Sequence, residues 1–259
     1  ITFFIISCKS PLDSSDKNVQ RISSDMIKEF NLYQFNYQQY DLKNIENKTS
    51  NYEYSAIKGK KIVCLGDSIT WGAVEDLIQA ENPYPKVIAE TFGVTTINAG
   101  INGDTLSWNS ITGGMWGRTQ TIDFTDVDYL LIFGGTNDQQ NNVTVDDYTE
   151  YSAVGALRSM VNYMRINHPK VKVVVILPIH KDCIYEDISP TLNRLVEAMK
   201  KYCTESCVPM IDLYNKFFLD FRNFQIREIY AADCVHPNQN GYILLGEYIG
   251  SKLAYNNFD

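Results

Sequence analysis

Histidine is scarce in this 259-residue chain: there are three, at positions 168, 180 and 236. An imidazole-based metal site needs its ligands at characteristic spacings, which three scattered histidines do not offer, so no metal is expected. The six cysteines follow no zinc-binding pattern either. Basic side chains are outnumbered, 23 against 31 acidic, for a net charge of -8. A phosphate backbone is repelled on average by such a protein, so nucleic acid is not an expected partner. No glycine-rich loop leads into a helix through a lysine, and no cofactor is implied. Long apolar runs are also missing. The opening Ile1-Thr2-Phe3-Phe4-Ile5-Ile6 is much too short to span a bilayer, and no later stretch could anchor the chain.

Apolar residues are nevertheless plentiful, 44% hydrophobic with 12% aromatic, enough for a substantial core. The N-terminal run reads as the end of a signal peptide, and Ile5-Ile6-Ser7-Cys8 resembles the lipobox of bacterial lipoproteins. That resemblance implies cleavage before Cys8, a lipid anchor on it as the sole membrane contact, and display at a bacterial cell envelope. Cys64, Cys183, Cys203, Cys207 and Cys234 then make an odd set, leaving at least one thiol unpaired within a monomer. Cys203 and Cys207 could pair in an oxidising compartment, with burial as small apolar side chains the alternative. From Lys9 to Lys58 the chain is rich in Asn, Ser, Asp and Gln and carries no chemical motif. Residues 1–58 are therefore expected to form a leader remnant, tether and cap, and residues 59–259 the main domain.

After Gly59 short apolar runs alternate with stretches of helical spacing. Lys60–Leu65, Val94–Asn98, Tyr129–Phe133, Val171–Leu177 and Val208–Ile211 read as five buried parallel strands. Helices are expected over Tyr84–Phe92, Tyr151–Asn167, Ile188–Tyr202 and Asn238–Leu253, the last behind Pro237. Alternating strands and helices predict an α/β sandwich on one parallel sheet.

Four loops carry chemistry. Gly66-Asp67-Ser68-Ile69-Thr70 follows the first strand, which places the Ser68 hydroxyl at the carboxyl end of the sheet. It is not a G-x-S-x-G elbow, since Thr70 stands where the second glycine belongs. The second strand ends in Asn98-Ala99-Gly100-Ile101-Asn102-Gly103-Asp104-Thr105 and the third in Gly134-Gly135-Thr136-Asn137-Asp138. A glycine N–H and an asparagine amide from these loops, with the nucleophile's own N–H, would supply three donors to a developing oxyanion. Asp233-Cys234-Val235-His236-Pro237 lets one short loop present an imidazole and the carboxylate that orients it. Pro237 favours an extended backbone at His236, so its ring should project from the loop.

In their order and spacing these motifs resemble the SGNH (GDSL) hydrolase superfamily, over Lys60 to Leu253. The resemblance implies a flavodoxin-like sheet of order 2-1-3-4-5, with Ser68 as nucleophile, His236 as base and Asp233 as its orienting acid. It implies Gly103, Asn137 and Ser68 as the oxyanion hole. Asp67, His180 and the three tryptophans, Trp71, Trp108 and Trp116, lie on loops of the same edge and are candidates for substrate contact. Aromatic faces there could hold sugar rings, which points to a short acyl ester, acetyl above all, on a carbohydrate. A lipase or acyltransferase of the same fold, or a glycan-binding lipoprotein without the reaction, are the alternatives. The stretch Trp108–Arg118 reads as a mobile insertion beside the oxyanion hole.

Overall fold

The five apolar runs pair as one parallel sheet in the order β2-β1-β3-β4-β5. Its strands are β1 (Lys61–Gly66), β2 (Thr95–Gly100), β3 (Tyr129–Phe133), β4 (Lys172–Ile176) and β5 (Met210–Ile211). This computed structural model describes residues 56–75, 78–182 and 191–259. Cys8, the lipobox and the tether lie outside the described residues, as do Cys183 and Ile188.

Every residue of β3 is buried, and β1 is buried after Lys61. Both occupy the sheet interior, where side chains on both faces are covered and continuous Val, Ile and Leu runs are required. The expectation of five buried strands fails at β2, which is largely exposed. Among the described residues it is an edge strand paired only to β1, and its Thr-Thr-Ile-Asn-Ala-Gly sequence is correspondingly less apolar.

The helices, in chain order, are α1 (Ser68–Trp71), α2 (Tyr84–Phe92), α3 (Gly114–Thr119), α4 (Thr136–Gln140), α5 (Ala153–Asn167), α6 (Leu192–Glu205), α7 (Leu213–Lys216), α8 (Phe224–Tyr230) and α9 (Gln239–Ala254). On one face of the sheet Val63, Leu65, Leu130 and Ile132 pack with Leu157 and Met160 of α5 and Leu195 and Met199 of α6. On the other, α2 packs against α9, and the Tyr84 ring meets Phe133 of β3 at 5.9 Å. The result is the expected three-layer α/β architecture.

Caps set the helix boundaries more sharply than apolar periodicity does. Helix α6 starts after Thr191, whose hydroxyl accepts from the Arg194 amide, and α9 starts after Asn238, whose side chain accepts from Gly241. Each such cap stabilises a helix by about 1 kcal/mol by pairing an orphan N–H. Helix α5 begins at Ala153, two residues later than expected.

Cys203 and Cys207 do not pair. Cys203 is buried in the α6 packing face and Cys207 is exposed beyond the helix end at φ +51°, and both are free, as is buried Cys64. A cavity of about 190 Å³ opens beside Tyr129, Lys172 and Pro209. Tyr129 and Lys172 begin β3 and β4 and Pro209 directly precedes β5, so the cavity lies at the opposite end of the sheet from Ser68.

Candidate active site

The strand registers align Gly66 with Gly100 on one side and with Phe133 on the other, so β1, β2 and β3 end flush. Three loops therefore leave the same edge, where the strand order reverses, which is where open α/β sheets place ligands. Gly66 is required at this corner: an added Cβ would lie 1.9 Å from the Thr70 hydroxyl oxygen. The Ile101 amide donates to the Gly66 carbonyl at 3.1 Å, tying the loop after β2 to the turn that carries Ser68.

Ser68 opens α1 and is nearly buried. Its Oγ lies 2.9 Å from Nε2 of His236, 168 residues away in sequence. Nδ1 of His236 lies 2.7 Å from Oδ2 of Asp233. The other Asp233 oxygen, Oδ1, accepts from the Val235 and His236 amides, both at 2.7 Å. One carboxylate thus folds its own loop and orients the ring. With the ring neutral, Nδ1–H donates to Asp233 and Nε2 is left to accept the serine proton. Burial works to raise the Asp233 carboxyl, but the imidazole's hydrogen bond and charge and the two amides outweigh it and hold the group below the usual carboxylate range. The loop is pinned at its base, where the Ala232 amide donates to the His236 carbonyl and the Asn238 amide to that of Tyr230, both at 2.8 Å. Within it Cys234 is disulfide-bonded, and its carbonyl accepts from the Asp182 amide at 3.0 Å.

Across the turn, Gly103 sits at φ +76° in an exposed loop, a backbone conformation that favours glycine even though a Cβ there would meet nothing. Asn137, in the first turn of α4, donates from Nδ2 to the Asp104 carbonyl at 2.8 Å. An amide nitrogen carries two hydrogens, so one fixes the plane and the second remains for a ligand. Asp138, fully buried, accepts from the Leu106 amide at 2.8 Å and the Ser107 amide at 3.0 Å. Burial pushes the Asp138 carboxyl up, while those amides pull it back.

The other candidates for substrate contact are held in different surroundings. Asp67 is buried under the turn, where Oδ1 accepts from the Ile69 amide at 2.9 Å as the cap of α1, and so shapes the turn that carries Ser68. Burial raises its carboxyl to about 7. His180 is turned into a cluster of its own, with its ring 3.6 Å from that of Tyr214 and Nε2 accepting from Arg222 at 3.0 Å. Trp116 packs on the core and stands edge-on to Tyr163 at 6.0 Å. Trp71 is half-buried in α1. Trp108 remains 43% exposed, edge-on to exposed Tyr151 at 5.6 Å, and its amide donates to the Glu150 carbonyl. The stretch expected as a mobile insertion is instead fastened: Thr112 and Asn109 donate to the Asp104 carboxylate, and α3 follows directly.

Asp104 and Asp138 stood in the quoted motifs without an assigned role, and Arg118 and Tyr151 were not singled out. For the two aspartates the signal was an acidic residue directly after a glycine or asparagine in a strand-end loop. For Arg118 and Tyr151 no sequence pattern marks the contact.

A family profile described as GDSL-like Lipase/Acylhydrolase matches residues 64–244. No curated protein matches the chain. Among solved structures, a protein from Lactobacillus plantarum is 25% identical with a TM-score of 0.67, covering 76% of this chain and 97% of its own. A lipase/acylhydrolase from Enterococcus faecalis is 26% identical with a TM-score of 0.58, covering 77% and 97%. A member of the lipolytic protein G-D-S-L family from Veillonella parvula shares the fold at 23% identity and a TM-score of 0.54, covering 73% and 95%.

Proposed function

This chain belongs to the GDSL-like lipase/acylhydrolase family and is an ester-cleaving hydrolase, and from that premise we propose that Ser68 attacks the ester with His236 as its base. The observation that carries the proposal is the relay of 2.9 Å from Ser68 to His236 and 2.7 Å from His236 to Asp233. As Ser68 Oγ bonds to the carbonyl carbon, its proton passes to Nε2 and the carbonyl oxygen becomes an oxyanion. The Ser68 and Gly103 amides and the second hydrogen of Asn137 Nδ2 are its proposed donors. Collapse breaks the bond to the alcohol, which leaves with the proton from His236. Water, deprotonated by the same ring, then releases the acid and restores Ser68.

The proposed substrate is a short acyl ester, acetyl above all, on a carbohydrate. Support comes from the exposed Trp108 and Tyr151, which rise from two loops of the edge that carries Ser68 and are joined through the Glu150 carbonyl. Such a pair suits the apolar face of a sugar ring, and a short acyl group needs only a shallow pocket. The proposed display at a bacterial envelope rests on the Ile5-Ile6-Ser7-Cys8 run.

The test is a series of nitrophenyl esters beside acetylated oligosaccharides. A long-chain enzyme gains about 0.8 kcal/mol per buried methylene, so its kcat/KM climbs from acetyl to octanoyl. We expect a fall, and expect Trp108→Ala to raise KM for the oligosaccharide more than for nitrophenyl acetate. Preference for octanoyl esters with no acetate released from any glycan would refute the carbohydrate reading and leave the esterase standing.

A further inference from the structure

Arg118 lies in the last turn of α3, outside every motif used so far, yet its guanidinium reaches the frame of all three proposed oxyanion donors. Nη1 donates to the Asp104 carboxylate at 2.6 Å and to the Gly66 carbonyl at 3.3 Å, and Nη2 donates to the Ala99 carbonyl. Gly66 lies two residues before Ser68 and ends β1, while Ala99 lies near the end of β2. Asp104 follows Gly103, and its own carbonyl is the acceptor that fixes the Asn137 amide at 2.8 Å. The Asp104 carboxylate is wholly buried, and its second oxygen accepts from the Thr112 hydroxyl at 2.6 Å.

We propose that Arg118 is a positioning residue for ester hydrolysis, locking the Ser68 turn, the Gly103 loop and the Asn137 amide into one rigid oxyanion-binding frame. The physical case rests on geometry. Oxyanion stabilisation is strong only where the donors are already aimed and do not reorganise during reaction. A planar fork with donors on separate nitrogens can hold acceptors on three chain segments at once, which a single ammonium cannot. The ion pair is nearly closed to solvent, so its partners stay fixed by mutual need: either charge left alone there would be strongly unfavourable. Coupling to the reaction runs through Asp104, which joins the guanidinium on one side and Asn137 on the other.

The inference rests on the serine-esterase reading, and the experiment separates the two. Wild type, Arg118→Lys and the milder Thr112→Val are titrated with a fluorophosphonate, and kcat is expressed per reactive site on nitrophenyl acetate. Phenylboronic acid, which adds to a nucleophilic serine and places an anionic oxygen where the oxyanion would form, is the second probe. Arg118→Lys should lower kcat per site about tenfold to a hundredfold, as a misplacement near 1 Å does, with KM nearly unchanged. The inhibition constant for the boronate should rise by the same factor, and Thr112→Val should show a smaller change in the same direction. Unchanged kcat per site with only a lower melting temperature would make Arg118 a purely structural residue and overturn the proposal. So would a change confined to KM. If Arg118→Lys fails to fold, an unaltered Thr112→Val overturns it as well. An inactive, unlabelled wild type would instead defeat the serine-esterase reading itself.

Discussion

The two sides of Ser68 are built differently. On the base side the decisive contacts are local: Asp233 and His236 are three residues apart, and a single carboxylate closes the loop and orients the ring. On the oxyanion side they span long stretches of chain, 33 residues from Asn137 to Asp104, 32 from Asp138 to Leu106 and 52 from Arg118 to Gly66. The base loop is shaped chiefly by contacts within it, with Cys234 tied beyond it by a disulfide and by the Asp182 amide, whereas the proposed oxyanion frame exists only once β1, β2 and β3 have aligned. Local construction suits a group that must exchange protons repeatedly. Long-range construction suits donors whose value lies in not moving.

The largest break in this contrast is His236→Ala, which removes the proposed base from an otherwise intact frame. Turnover should fall by ~10⁴-fold or more, because the serine then lacks a proton acceptor. Near-native kcat in steady-state assays of the folded variant would transfer the role to another group. On the opposite side Asn137→Ala takes away one donor and leaves the relay whole, so kcat should fall by about 10²- to 10³-fold. If the Asn137→Ala loss equalled the His236→Ala loss, the two sides would not be separable in the way their construction implies.

The smallest effect concerns the turn between them. Burial holds the Asp67 carboxyl near 7, against 3.8 for the ordinary group. Between those values the folded protein keeps a proton that the unfolded chain has released, so this group's contribution to stability declines as pH rises from about 4 to about 7 and changes little above. Asp67→Asn keeps an oxygen to accept from the Ile69 amide and removes the ionisation. Its urea midpoint should therefore drop less between pH 5 and pH 8 than that of wild type. Parallel pH profiles for the two proteins would show that Asp67 does not titrate in this range.

The same division explains what could be read from sequence. The buried strands were legible because β1 and β3 are central and uninterruptedly apolar, whereas β2 was misjudged as buried because an edge position follows from topology, not from its own residues. Helix α8 went unseen because it buries none of its residues and so writes no apolar stripe. Ser68, Asn137 and the Asp-x-x-His loop stand out in the sequence because short motifs encode short-range geometry. Arg118 does not, since its partners gather only across strand ends, and the packing of Trp116 on the core was not legible because an indole in a loop does not reveal which way it faces. Asp67 shows the same limit at closer range: its neighbour is the nucleophile, yet its carboxyl turns inward to cap α1.

The proposed activation of Ser68 by His236 can be checked by reacting the intact protein with a fluorophosphonate and locating the adduct by peptide mass spectrometry. One adduct per chain is expected, on Ser68, with labelling lost in Ser68→Ala and slowed strongly in His236→Ala. An adduct on any other residue, or labelling undiminished in Ser68→Ala, would contradict it.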